Sequence, residues 1–204
     1  MSVHAVTVFL RGHAFSHSDE VSVSLPFSMA DQLWAETTSA DRRCMPEGLN
    51  SLAWQIWHMA CSEDEGLALI AGLPRLFDEA SWANRLGYAR RHAHGMTQED
   101  SRELAEKIDT DAVWAYRNAV GIRTRAVIES HELDHWLNPL EPFHLDQAVD
   151  LGVIAPEAAE SMASFLLGLT KEDLMGWWGL NHSLLHLGQA SALLKILAKR
   201  KDRA

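Results

Sequence analysis

The sequence has 204 residues, of which 47% are hydrophobic, and its 18 basic and 28 acidic residues give a formal net charge of −10. This length and composition suit one globular domain over residues 1–204 with a core of its own. An acidic surface repels phosphate backbones, and no apolar run approaches the roughly 20 residues of a membrane span, so neither nucleic acid nor a membrane is an expected partner. Cys44 and Cys61 form no CxxC pair and no signal-like segment is recognisable, which together favour a cytoplasmic protein.

Apolar periodicity predicts helices along the whole chain and no strand-rich region. Helices are predicted at residues 3–17, 29–37, 51–71, 97–130, 157–167 and 171–198. Asn50 is the expected N-cap of the third helix, and the fourth should break near Asp109. Two capping-box patterns support helix starts: Thr97 with Asp100, and Thr170 with Asp173. Irregular connections are expected at 73–96 and 131–155. Three or four long helices with several short ones indicate an all-α helical bundle.

Eleven histidines are a high number for this length and give the first chemical signal. Residues four apart on a helix share a face, so an HxxxH pair can bind one metal ion. The chain has three such pairs, where chance would give about one: His13 with His17, His131 with His135, and His182 with His186. The third pair is the best candidate because it lies inside a long helix with an apolar inner side. Gly188 beside it should let another helix approach closely.

His58 lies inside another long helix and would complete a three-histidine site with His182 and His186. Three protein ligands with an open position are typical of catalytic metal sites, whereas structural sites are closed. Gln189 is one turn beyond His186 and is expected to orient that ligand or a bound water. Imidazole suits zinc, nickel, copper and iron, and zinc or nickel is the expected ion.

The segments that carry these residues resemble the DinB-like superfamily. The resemblance rests on NSLAWQIWHMA at 50–60 followed by Glu63 and Asp64, the HxxxHxxQ pattern at 182–189, WAYRNAVGIRT at 114–124, and FLRGH at 9–13. It covers nearly the whole chain. It implies an up-down-down-up four-helix bundle with short additional helices, a homodimer, and a zinc, nickel or similar ion held by His58, His182 and His186.

The resemblance also implies two classes of reaction at such a site. One is hydrolysis, and the other is transfer or isomerisation with a low-molecular-weight thiol as cofactor. The alternative is a non-catalytic metal-binding stress-response protein in which the ion is structural. Two positions depart from the family's pattern: the loop with His92 and His94 replaces a small-Gly-Thr-Gly-Met sequence, and Cys61 replaces a common arginine.

Several further side chains are candidates to line a pocket or to support the ligands: Gln189, Cys61, His13, His17, Trp54 and Asn181. His13 and His17 are expected mainly to form a polar face of the first helix. Cys61 fits either a small buried residue or a reactive thiolate.

The remaining ionisable residues have ordinary interpretations beside their functional ones. Glu63 and Asp64 fit either a base that orients a histidine or partners of an arginine on a neighbouring helix. His131 and His135 are expected on a solvated surface. His92 and His94 are expected in a loop, which the sequence allows to lie over the metal.

Overall fold

The computed structural model of the protein describes residues 3–79, 82–90, 92 and 95–201, and within these ranges every regular element is helical. The α-helices are α1 (Val3–Ser16), α2 (Met29–Ala35), α3 (Ser39–Arg43), α4 (Leu52–Ala71), α5 (Trp82–Leu86), α6 (Gln98–Lys107), α7 (Thr110–Ser130), α8 (Pro142–Asp150), α9 (Ala159–Leu166), α10 (Lys171–Met175) and α11 (His182–Lys201). A π-helical segment, Gly176–Asn181, joins α10 to α11, and short 3-10 turns lie at Pro46–Gly48, Leu76–Asp78, Leu133–Leu137 and Pro156–Ala158. The predicted all-α class is confirmed.

Four long helices frame the molecule. α4 packs against α7 and α11, and α1 contacts the same two helices, so the four close into a ring. α4 is the most enclosed of them, because 18 of its 20 residues are buried and only His58 and Ala71 are not. A helix that is enclosed on all sides is expected in the middle of a helical core.

The interior of α4 changes character along its length. Its first half, up to Cys61, belongs to one apolar cluster with α7 and α11, and its last turn from Leu67 belongs to a second cluster. Between them lie four consecutive polar residues, 62–65, all buried. Buried polar groups require partners, and the partners of Glu63 form one of the two histidine groups described below.

Helix starts follow the predicted capping chemistry with one exception. The capping boxes of Thr97 with Asp100 and of Thr170 with Asp173 are both present. Asn50 was the wrong choice for α4: Ser51 is the N-cap, and its hydroxyl accepts a hydrogen bond from the backbone of Trp54 at 3.1 Å. Ser and Asn cap equally well, so two adjacent candidates are not separable by propensity.

The predicted final helix at 171–198 contains a local change of winding. Its middle, Gly176–Asn181, is π-helical, and α11 begins at His182. Trp178 packs so closely on α4 that a Cβ at Gly66 would lie 2.2 Å from its ring. An inserted residue of this kind re-aims the following turn, and π-helical turns are frequent at functional sites.

Two regions expected to be irregular contain helices. Inside 131–155, α8 begins at Pro142, because proline is well tolerated in the first turn of a helix. α5 forms inside 73–96 and buries Trp82 and Leu86. Gly188 was also misjudged, because among the described residues no atom lies within 4 Å of a Cβ built there, so none of the described helices approaches it closely. In the described part of the chain no helix combines the length and apolarity needed to cross a bilayer.

Candidate metal centre

The structure brings His58, His182 and His186 together between α4 and α11. Nε2 of His182 lies 3.1 Å from Nε2 of His58 and 3.0 Å from Nε2 of His186. His186 is buried, whereas the other two side chains are only partly so. Two residues four apart on α11 and one residue 124 positions earlier in the chain therefore present the same ring atom to a common point.

The spacing of these nitrogens fits a shared cation. Two nitrogen ligands about 2.1 Å from one ion lie roughly 3.0 Å apart at right angles and about 3.4 Å apart in a tetrahedron. A hydrogen-bonded cluster accounts for the spacing less well. Nε2 of His182 carries either one proton or one lone pair, so it can satisfy only one of its two close contacts.

The tautomer of His186 also favours a shared cation. Its Nδ1–H donates to Oε1 of Gln55 at 2.5 Å, which leaves a lone pair on Nε2 facing the other two rings. Burial lowers the pKa of His186, although a hydrogen bond with Gln189 opposes the shift. A neutral imidazole is the form that binds a metal. Gln189 was predicted as a support; Gln55 was missed, although it precedes His58 by one turn on the same face.

Trp54 lies against the group, as the sequence suggested. Its indole stacks on the His58 ring, with centroids 4.4 Å apart and an interplanar angle of 13°, and meets His186 edge-on. Asn181, the residue before His182, is exposed at the end of the π-helical segment. Trp54 thus walls the group, and the partial exposure of His58 and His182 leaves one side accessible.

Cys61 is a buried residue and not a poised thiolate. Burial raises the pKa of its thiol well above the usual value, and the nearby Glu65 and Asp64 carboxylates raise it further. Its hydrogen-bonding neighbour is Tyr116 of α7, whose hydroxyl donates to Oδ2 of Asp64 at 2.7 Å. Asp64 also accepts the backbone N–H groups of residues 76 and 77, so it serves as a structural acceptor.

A second group of potential ligands lies around Glu63. Nε2 of His13 is 3.0 Å from Oε1 of Glu63, and Nε2 of His17 is 2.9 Å from Oε2. All three side chains are fully buried, and the two imidazoles stack with centroids 4.1 Å apart. In both histidine groups the candidate ligand atoms lie within 4.8 Å of one another, so both are close enough to hold a metal ion.

Glu63 has two further partners besides the histidines. The Thr124 hydroxyl donates to Oε1 at 2.7 Å, and Nη1 of Arg117 lies 3.6 Å from Oε2. Although burial opposes it, hydrogen bonds from the His13 and His17 rings favour the ionised carboxylate, and the pKa of Glu63 lies well below its usual value. Burial, followed by the Arg117 charge, lowers the pKa of His17 to about 3. The group is a carboxylate surrounded by donors.

The interpretation of His13 and His17 as a polar face of α1 was therefore wrong. Both lie in the interior, because Glu63 on α4 supplies the acceptor that a buried imidazole needs. Gly121 of α7 makes room, since a Cβ there would lie 2.5 Å from the His17 ring. The expected arginine partner of Glu63 exists and is Arg117.

The other histidines that the structure describes join neither group. His131 and His135 are half-buried rather than solvated, and Nε2 of His135 lies 3.3 Å from the Lys171 ammonium. Nδ1 of His92 lies 3.2 Å from Oε1 of Glu65. His94 lies outside the described residues, so its predicted place in a loop over the metal stays a prediction.

Compared with models of known families the chain matches none, and no curated protein is significantly similar to it.

Proposed function

We propose that the protein is a metal-dependent enzyme of the DinB-like kind that binds one zinc or nickel ion through His58, His182 and His186. The observation that carries the proposal is the convergence of three Nε2 atoms, two of them 3.0 and 3.1 Å from the third. A divalent ion held by three imidazoles lowers the pKa of a water or thiol that binds its free positions, which supplies a nucleophile near neutral pH.

Contacts between the long helices support the proposed bundle. The ring of α1, α7, α4 and α11 is the set of neighbours that four antiparallel or parallel bundle helices make. Gln55 bonds to His186 while His58, further along α4, approaches His182, so α4 and α11 run in opposite directions. Up-down-down-up order requires that direction between the second and fourth helices.

The residues around the three histidines have separate tasks in this proposal. Gln55 fixes the His186 tautomer and ring plane by accepting its Nδ1–H. Trp54 covers one face of His58 and excludes water from it. The partly exposed His58 and His182 leave a side from which a substrate can approach. An accessible centre favours catalysis over a sealed structural ion.

An activity assay is needed to choose between hydrolysis and thiol transfer. The buried, high-pKa Cys61 does not supply the thiol, so a transferase would need a low-molecular-weight thiol from solution. One observation favours the non-catalytic alternative: the ligands come from α4 and α11, so an ion also cross-links two of the four long helices.

The proposal is tested with protein purified without a nickel column, stripped with a chelator and reloaded with zinc, nickel or cobalt. Loaded protein is assayed on activated esters and amides and, separately, for addition of a small thiol to an electrophile. We expect one of these activities to require the ion and to disappear when His58, His182 and His186 are all alanine. Activity that survives this triple replacement would refute the enzyme proposal, and stabilisation by the ion without activity would favour the structural role.

Light scattering on the same samples tests the homodimer that the resemblance implies. A chain of 22.8 kDa should then behave as a particle of twice that mass. A monomer at micromolar concentration would contradict the dimer and leave the metal proposal intact.

A further inference from the structure

Arg117 connects the two histidine groups. It is fully buried on α7, and its Nη2 donates to the backbone carbonyl of Ser16 at 3.3 Å and to Oγ of Ser183 at 3.2 Å. Its Nη1 faces Oε2 of Glu63 at 3.6 Å. One guanidinium thus contacts the end of α1, the polar middle of α4 and the first turn of α11.

The hydrogen bond from Arg117 to Ser183 matters most for the metal centre, because Ser183 lies between the two proposed ligands of α11. It is fully buried, follows His182 directly and precedes His186 by three residues. A bond to its hydroxyl restricts both the rotation of α11 about its axis and its sliding along that axis. Either movement would carry both imidazoles away from His58.

The restraint on α11 acts where the helical winding of the chain changes. The π-helical segment ends at Asn181, immediately before His182, so the winding changes where the ligands begin. A π-helical turn inserts one residue into the winding and so changes the direction in which the following side chains point. A fixed contact in the first α-helical turn holds those side chains in one direction.

We infer that Arg117 is a positioning residue of the metal centre, holding the first turn of α11 through Ser183 so that His182 and His186 meet His58. The inference rests on the proposed metal site. It also gives the second histidine group a role: His13, His17 and Thr124 hold the Glu63 carboxylate, and that carboxylate balances the charge of Arg117.

Arginine suits this role better than lysine. Its planar fork reaches several acceptors at once and keeps its charge when buried, whereas an ammonium is a single point on a flexible stem. Burial lowers the pKa of Arg117 only to about 10, so the group stays charged at neutral pH. We therefore expect Arg117→Lys to preserve the charge and lose the hold on Ser183.

Arg125 provides a matched control on the same helix. It lies two turns further along α7, and its Nη1 donates to the carbonyl of Leu10 on α1 at 2.9 Å. Arg125→Lys makes the same chemical change beside α1, away from Ser183. A loss of metal affinity confined to Arg117→Lys would separate positioning from general loosening of the bundle.

The experiment is a Co²⁺ titration of stripped full-length protein, with the dissociation constant taken from chelator competition and the ligand-field spectrum recorded at saturation. Replacing a group that orients a ligand typically weakens metal binding 10- to 100-fold. We expect about a tenfold loss and an altered spectrum for Arg117→Lys, a smaller change of the same kind for Ser183→Ala, and wild-type behaviour for Arg125→Lys. Ser183→Ala keeps every buried charge and serves as the readout if Arg117→Lys does not fold.

Three other results would contradict the positioning role of Arg117, and one of them would also contradict the metal site. If wild-type protein binds Co²⁺ but neither Arg117→Lys nor Ser183→Ala changes the affinity or the spectrum, Arg117 has no positioning role and the metal site stands. Equal losses in Arg117→Lys and Arg125→Lys would overturn the role in the same way. If the wild type binds no Co²⁺, the metal site and the positioning role fall together.

Discussion

The two histidine groups of this protein have similar distances between their candidate ligand atoms but differ in the exposure and the partners of their side chains. Each combines two histidines four apart in the chain with a residue of α4, His58 in one case and Glu63 in the other. The first group has an amide acceptor behind His186 and partly exposed rings. The second is sealed and contains a carboxylate, two imidazole donors, a hydroxyl donor and a buried guanidinium.

The difference teaches that close ligand atoms alone do not identify a metal site. A histidine that binds metal through Nε2 almost always donates its Nδ1–H to a partner. His186 has that partner in Gln55, which turns the Nε2 lone pair of His186 toward the other two rings. Arg117, with Nη1 3.6 Å from Oε2, also already neutralises the Glu63 carboxylate that a cation would otherwise bind. We therefore expect the ion in the first group, with the second serving the fold.

The largest expected effect concerns the second group. Glu63→Ala leaves the buried Arg117 charge unpaired, and breaking a buried ion pair in this way costs about 3–5 kcal/mol. Urea unfolding of metal-free protein should show the loss. Glu99→Ala is the control, since its pair with Arg102 is exposed and should contribute less than about 1 kcal/mol. Equal, small losses would mean that the Glu63 group is not a structural centre.

Removing the ion should produce the next largest effect. A ligand present at about 100 times its dissociation constant stabilises the folded state by about 2.7 kcal/mol, or roughly 5–10 °C in Tm for a chain of this size. Thermal unfolding with and without chelator measures it. We expect the shift to vanish in His182→Ala and to persist in His13→Gln. If the shift in Tm persisted in His182→Ala and vanished in His13→Gln, the ion would be bound by the second group and not by the first.

Gln55 offers a smaller and more local test of the first group. Gln55→Leu removes the acceptor of the His186 Nδ1–H and should weaken metal binding about 10- to 100-fold, or 1.4–2.7 kcal/mol. Gln147→Leu changes an exposed glutamine near Gly72, at the far end of α4, and should have no effect. Competition with a chromogenic chelator gives both constants. Identical constants would show that Gln55 does not orient a ligand.

The smallest effect is the pH dependence that the second group contributes through His17. Burial and the Arg117 charge keep His17 neutral when folded, with a pKa of about 3, while the unfolded side chain takes up a proton below 6.5. The unfolded state therefore binds more protons between these values, and stability falls as the pH falls.

From pH 7.5 to 5.5 the His17 contribution is about 1.4 kcal/mol. Urea unfolding in chelator, which removes any effect of metal release, should show a flatter profile for His17→Gln than for the wild type. His135→Gln is the control. Its profile should stay close to that of the wild type, because the His135 pKa is also lowered but the side chain is only half-buried. An unchanged slope in His17→Gln would contradict the neutral buried imidazole. Glu63 contributes only below its ordinary pKa, outside this window.

The parts of the fold that were predictable from the sequence are those set by local chemistry. The capping boxes at Thr97 and Thr170 and the long helices α4 and α7 follow from residues within a few positions of each other. The π-helical segment does not, because the packing of Trp178 against Gly66 on a distant helix helps to define it. α8 was missed because a proline that starts a helix looks like one that ends it.

The candidate site divides in the same way. His58, His182 and His186 were chosen by spacing and resemblance, and the structure brings them together. Spacing cannot distinguish the pair His13 and His17 from the pair on α11, since the difference is made by Glu63, 46 and 50 residues away. Likewise Gln55 acts across 131 positions of sequence. Pairs on one helix are readable from a single sequence, whereas partners from another helix are not.

The most direct test of the central claim is to count the bound metal after exchanging ligands in one group at a time. Protein produced without a nickel column is analysed for metal content as wild type, as His58→Gln with His182→Gln, and as His13→Gln with His17→Gln, where glutamine can still donate to Glu63. We expect about one ion per chain in the first and third proteins and almost none in the second. Metal retained by the second protein and lost from the third would place the ion at Glu63 and refute a site at His58, His182 and His186.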